Sequence, residues 1–442
     1  MRRPLILLLI CCAAIFPSDF RAGAQITVDP KLAAEIAKIK AIDNHAHPLQ
    51  VVGAGETDTE ETYVYTLEPL DIPVRLRADN PEYNRAWRSL YGYAYNDMAQ
   101  NHVRALMETK QRVLREQGDS YPLWVLDRLG IEVMFANRVA MGRGLSAPRF
   151  RWVPFADPLL FPLNNEGMSK PHPDYRARYA GAERILKRYL HESGVSKLPT
   201  TLNEYLKVVT ATLERQKREG AIALKFATAY HRPLDFANVA EGEASRVYAK
   251  YVEGGEPPMG DYKTLQDFLF RYIAREAGRI GLPLHIHVGA GASGYFNQSG
   301  ANPFILEPVL NDPGLRGTQF ILLHGGFPFA REARALAYKP NVYVECSGLT
   351  FLLSVRELSE VLRSWLEFVP EKVLFGTDAF EISPEVGWAD HGWLTISSAR
   401  QALALALTGM MKDGEITRER ALELARMVMR DNAIKLYKLK AQ

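Results

Sequence analysis

The sequence predicts a (β/α)8 barrel, an α/β fold, on three observations. Strand-length apolar runs occur eight times and end in polar residues, helix-like stretches alternate with them, and the runs are apolar almost throughout rather than at every second position. The third observation matters because a strand in a parallel barrel is covered on both faces and needs apolar side chains on both. An open doubly wound sheet is the alternative. No G-x-G-x-x-G follows the first run, so dinucleotide binding has no support.

The first run, 39–47 (IKAIDNHAH), is apolar at its start and polar at its end, and 131–137 (IEVMFAN) and 150–157 (FRWVPFAD) repeat that polarity. The runs 221–226 (AIALKF), 283–288 (PLHIHV) and 319–324 (QFILLH) follow, then 341–345 (NVYVE) and 372–378 (KVLFGTD). Helical spacing of apolar residues occupies 201–218, 263–279, 328–337 and 352–366 between them. The glycine-rich stretch 289–294 follows the fifth run and reads as a flexible loop.

A bare barrel needs about 250 residues, and the chain has 442. Two long helical insertions after strands one and three absorb the surplus: 49–118, with helical patterns at 82–90 and 102–116, and 158–200, rich in Pro, Arg and Tyr. Both leave C-terminal ends of strands, where barrel enzymes build lids and pockets. Residues 394–439 read as helices closing the barrel, and 25–442 as one catalytic domain.

Ahead of it, Arg2 and Arg3 precede an apolar run over 5–16, and Ala22-Gly23-Ala24 has the small-x-small form of a signal-peptidase site. Residues 1–24 are therefore expected to be a secretory signal cleaved after Ala24, giving a periplasmic or secreted protein. The apolar run falls short of the ~20 residues that span a bilayer, so no stable membrane anchor is expected. Of the 3 cysteines only Cys346 would survive cleavage, which leaves core burial rather than a disulfide to hold the fold. With 54 Lys+Arg against 51 Asp+Glu and no dense basic tract, nucleic acid has no electrostatic footprint, and a small molecule is the expected partner. Oligomeric state is left open.

His45, His47, Lys225, His287, His324 and Asp378 all stand at or near the C-terminal ends of apolar runs, which a barrel brings to one place. His45 and His47 are two apart, so a strand turns both imidazoles to the same side. An H-x-H pair alone is weak; the placement of the whole set carries the argument. Imidazoles and carboxylates bind zinc and related divalent ions, and Asp378 suits either weak coordination or proton transfer from bound water. Tyr230 and Arg232 are candidate substrate contacts, Arg232 either clamping a carboxylate or pairing with Asp235. Glu345 ends the seventh run, at the pocket or against a basic neighbour. Asn137 and Arg138 are candidate pocket liners, and Cys346 reads as a packed residue.

The stretches Asp43-Asn44-His45-Ala46-His47, Leu224 to Tyr230, His285-Ile286-His287-Val288-Gly289, Leu323 to Pro328 and Phe375 to Ala379 resemble the amidohydrolase superfamily. The similarity is to its amidohydrolase-related branch, near the N-terminal domain of nodulin and fungal glutamine-synthetase-like proteins. It implies the metal-dependent hydrolase form of the barrel. His45 and His47 would bind one ion, His287 and His324 would bind a second or orient substrate, and Asp378 would be ligand and general base, with His324 sharing the catalytic work. Lys225 matches a strand-four lysine that is carbamylated in two-metal members; the alternative is an ammonium beside a single ion. A His at 285 as well as 287 departs from the family pattern, and His285 is assigned to the substrate-side surroundings rather than to the metal.

The expected function is hydrolysis of an amide, ester or lactone by metal-activated water, with one or two divalent ions, zinc foremost. A decarboxylase or sugar-acid isomerase on the same barrel is the alternative, and a non-catalytic metal-binding barrel the second alternative.

Overall fold

A computed structural model describes residues 27–53, 55–60, 72–171, 175–292 and 295–440. The proposed signal segment and its cleavage site lie outside them. No helix among the described residues is long and apolar enough to cross a membrane.

Eight strands occur where the apolar runs place them: β1 (Ala41–Ala46), β2 (Ile131–Asn137), β3 (Phe150–Val153), β4 (Leu224–Phe226), β5 (Leu284–His287), β6 (Phe320–Leu323), β7 (Val342–Glu345) and β8 (Val373–Leu374). Pairing is parallel from β1 to β3 and again from β4 to β8. Backbone bonds stitch the two groups together. At one seam the Lys225 N–H donates to the Pro154 carbonyl and the Ala156 N–H to the Lys225 carbonyl, each at 2.8 Å. At the other, the Asn44 N–H donates to Phe375 at 3.0 Å, the Asp378 N–H to His45 at 2.7 Å and the His47 N–H to Ala379 at 2.8 Å. The strands thus form a closed ring, and the second seam runs between the segments that carry His45, His47 and Asp378.

Ile42, Val133, Phe135, Ile321, Leu323 and Leu374 form one buried cluster with Tyr437. These residues come from strands on opposite sides of the ring and can meet only inside it, so the barrel is a packed core with Tyr437 as its floor. Each such side chain contributes about 1.5–3 kcal/mol on burial. The larger cluster fills the layer between strands and surrounding helices.

The helices start and stop where local chemistry dictates. Helix Leu202–Arg218 begins after Thr201, whose hydroxyl accepts from the Glu204 N–H, and helix Val355–Leu366 begins with a Ser354/Glu357 capping box. Ser354 also splits the expected 352–366 helix from the short helix Leu349–Leu352. The segment between β1 and β2 contains Pro81–Tyr91 and Gln100–Gln117 as expected, plus Tyr121–Leu129, stopped by Gly130 at φ 68°. Between β3 and β4 stands helix Tyr175–Glu192, and the C-terminal helices begin at Trp388 rather than at residue 394.

Candidate metal centre

Asp43 anchors the floor of the site. Its carboxylate accepts from the Thr377 N–H at 2.8 Å, the Thr377 hydroxyl at 2.5 Å and the His45 N–H at 3.2 Å, clamping the end of β8 to β1. Burial pushes this carboxyl up to about 7 against those hydrogen bonds. Above it the His45 and His47 rings stand 5.1 Å apart, and Asp378 Oδ1 lies 3.2 Å from His45 Nε2 and 3.6 Å from His47 Nε2. Asp378 and His324 hold left-handed backbone angles, φ 49° and 62°, a conformation that costs a non-glycine residue of order 1–3 kcal/mol and clusters at functional sites.

The other strand ends complete the ring. Lys225 Nζ lies 3.3 Å from His45 Nε2 and is buried. Burial pulls its pKa down to about 8, opposed by Asp378, Asp157 and Glu345. His45, His287 and His324 are held well below the usual histidine range, first by burial and then by Lys225 and neighbouring imidazoles. They are therefore neutral and keep a ring lone pair.

Glu345 lies behind His324. It accepts from the His324 N–H at 3.2 Å, the Ser347 N–H at 2.7 Å and the Ser347 hydroxyl at 2.6 Å. Ser347 thereby gives its proton to Glu345 and accepts from His324 Nδ1 at 3.0 Å, which leaves the lone pair on Nε2. His324 Nδ1 also stands 3.5 Å from Asp378 Oδ2. His287 Nε2 faces the Ala290 carbonyl at 3.1 Å, a contact set by Gly289 at φ 79°. A Cβ on Gly289 would lie 2.3 Å from the Phe327 carbonyl, so only glycine lets the β5 and β6 loops approach here.

One donor atom each from His45, His47 and Asp378 lies within 4.8 Å of the others. Two imidazoles and a carboxylate on rigid strand ends suit zinc and other divalent transition ions, so the residues fit the metal that the sequence implied. His287 and His324 adjoin this trio, with ring centroids 4.5 Å apart and His324 5.1 Å from His45. Tyr230 lines the same space: its ring is 4.7 Å from His287 and 5.2 Å from Phe296, and its hydroxyl accepts from the Ala292 N–H at 3.0 Å.

Several expected site residues lie elsewhere. His285 points down the barrel, its Nε2 2.7 Å from the Tyr437 hydroxyl, and belongs to the interior floor rather than the substrate side. Arg232 is buried against Asp267 at 2.7 Å, Asp235 at 3.3 Å and Gln266 at 3.1 Å, so its guanidinium is engaged within the fold rather than poised to clamp a carboxylate. Glu345 touches the support of His324 instead of open space. Arg138 is likewise internal, bidentate to Asp58 at 2.7 and 2.9 Å, and Asn137 donates to the Val153 carbonyl at 2.9 Å. Cys346 is buried, and burial pushes its thiol up. Asp43, Thr377 and Ser347 were not singled out from sequence, although each lies within two residues of one that was.

Residues 168–439 match the amidohydrolase family. Among curated proteins the chain is 27% identical over 233 residues to Protein fluG of Emericella nidulans, covering 50% of this chain and 26% of that protein, about a quarter of the relative's length. Among solved structures it is similar to a Lactobacillus casei protein described as a metal-dependent hydrolase, at TM-score 0.61 and 15% identity over 93% of this chain and 98% of that one. It is also similar to the glucuronate isomerase of Caulobacter crescentus, at TM-score 0.60 and 16% identity over 98% of both chains. The uronate isomerase of Thermotoga maritima follows at TM-score 0.56 and 14% identity over 81% of this chain and 78% of that one. At these identities the structural likeness establishes the barrel fold.

Proposed function

The chain belongs to the amidohydrolase family, and from that premise we propose that it is a metal-dependent hydrolase acting on an amide, ester or lactone. The observation that carries this reading is the convergence of His45, His47 and Asp378 within 4.8 Å. When bound there, a divalent ion, zinc foremost, supplies Lewis acidity and lowers the pKa of water to about 7.

The protein's own groups do the rest. His45 presents a neutral imidazole lone pair, and His47 a second imidazole just past the end of the same strand. Asp378 is the general base, its Oδ1 held between the two imidazoles and its Oδ2 within 3.5 Å of His324. His324, oriented by Ser347 and Glu345, stands with Nδ1 3.5 Å from Asp378 Oδ2 and keeps a lone pair at Nε2 that can take up a proton. Tyr230, Phe296 and His287 form an aromatic wall against which substrate is positioned. Lys225, near pKa 8, is partly a neutral amine at neutral pH, the state that carbamate formation requires.

A sugar-acid isomerase or a decarboxylase is the second reading. It is favoured by the turn of His287 towards Ala290 and of His324 towards Ser347, which leaves one compact trio for one ion. Assay of the metal-loaded protein against lactones, esters and N-acyl amines, with uronates and aromatic acids alongside, tests the choice. Turnover confined to the uronates or aromatic acids would overturn the hydrolase reading. Export is part of the proposal: N-terminal sequencing of the mature protein is expected to start at Gln25, and a start at Met1 in the membrane fraction contradicts it.

A further inference from the structure

The end of the barrel opposite the metal centre carries a second cleft. Residues just ahead of β4, β5 and β6, together with the end of the chain, enclose about 1130 Å³, similar to the ~300–1,000 Å³ of small-molecule sites. Arg151, Lys217, Lys435, Lys438 and Lys440 line it, and no Asp or Glu does. Among the described residues none of these cations forms an ion pair, whereas Arg149, Arg215 and Arg430 are each paired with a carboxylate.

Protein surfaces ordinarily intersperse the two signs, and a one-sign concavity repels itself while focusing its field on a counter-ion. The repulsion is visible at Lys217, whose pKa is lowered by burial and then by Arg151 and Lys438. Between the cations lie the edges of Ile222, Leu282 and Leu436 and the ring of Tyr343, with Gln319 beside them. A flat bilayer cannot enter a concave site of this kind, but a small molecule with charge at one end and an apolar body at the other can.

We propose that this cleft binds a small organic polyanion with an apolar body, of which an aryl phosphate monoester is the simplest representative. The cations hold the phosphate as point charges and the apolar walls take the ring. The inference is independent of the metal centre, since no residue named in it touches His45, His47 or Asp378.

Calorimetric titration of the full chain with 1-naphthyl phosphate tests it. Saturable binding at low salt is expected, weakened by added salt and weakened at least about tenfold, about 1.4 kcal/mol, in a Lys217→Glu, Lys435→Glu variant. Both residues reach solvent at the rim of the cleft, Lys217 with part of its stem covered, so circular dichroism of the variant should match the parent. Inorganic phosphate should bind more weakly, for want of an apolar body, and His47→Ala should bind the probe as the parent does. Absence of saturable binding, equal affinity in the double variant, or inorganic phosphate binding as tightly overturns the proposal. So does loss of binding in His47→Ala, which would place the probe at the metal centre, or retention on phosphatidylglycerol vesicles without binding of free 1-naphthyl phosphate.

Discussion

Asp378 works from a left-handed backbone position that its seam to β1 enforces, and its carboxylate reaches His45, His47 and His324 together. Asp378→Asn preserves that shape and removes the proposed base, so turnover should fall at least ~10²-fold with an unchanged circular dichroism spectrum; near-normal turnover would make the residue structural. Glu345 acts at one remove. Glu345→Gln turns an acceptor for Ser347 into a partial donor and unsettles the His324 tautomer. A loss of about 10–100-fold in kcat is expected, with KM little changed; a change in KM alone would deny the positioning role. The residues that meet here were legible because strand alternation and strand-end position are written in the sequence. Depth was not: two residues along a strand is about 6.6 Å of rise, which takes His285 from the level of the ligands to the floor beside Tyr437. Arg232 took the second course open to it, pairing with Asp235 rather than clamping a carboxylate. Its partner Asp267 arrives on helix Met259–Ile280, a pairing that only the fold creates.

At the scale of elements, the eight strands declared themselves because burial on both faces demands nearly unbroken apolarity. β8 is shorter than its apolar run, Val373–Leu374 against 372–378, because the chain past Phe375 leaves β7 and bonds across to β1. Helix Tyr175–Glu192 lies in the insertion after β3 that was expected to be helical; its charged residues hid its bounds, although Tyr179, Ala182, Ile185, Leu186 and Tyr189 mark a buried stripe at helical spacing. The long β1 to β2 segment is fastened by the Arg138–Asp58 pair, with side chains 0% and 4% exposed. Asp58→Ala strands a buried guanidinium, and urea unfolding should show a loss of about 3–5 kcal/mol. A change within ±0.5 kcal/mol would mean that water or another group takes over.

The whole molecule encloses neutral histidines away from the metal trio. Burial lowers His285 and His391 from 6.5 to about 3. In the unfolded chain they take up a proton below pH 6.5 while the folded chain refuses it, so their contribution is fully present above 6.5 and is lost as pH falls towards 3. Each adds a slope of about 1.4 kcal/mol per pH unit across that window. His391→Phe, which keeps a ring against Phe351 and Phe380, should flatten the acid limb of the stability curve by about that amount; an unchanged limb would show that His391 is protonated in the fold. The barrel, its polar strand ends and its surplus of inserted chain could be read from sequence, while the basic cleft could not, since its cations come from three distant segments. The proposed hydrolysis depends on a divalent ion that His45, His47 and Asp378 would hold. Metal analysis of the purified protein beside His45→Ala and His47→Ala, with circular dichroism on all three, measures this directly. The parent should carry a stoichiometric divalent transition ion and both variants should lose it while remaining folded; full occupancy in either variant would contradict the assignment.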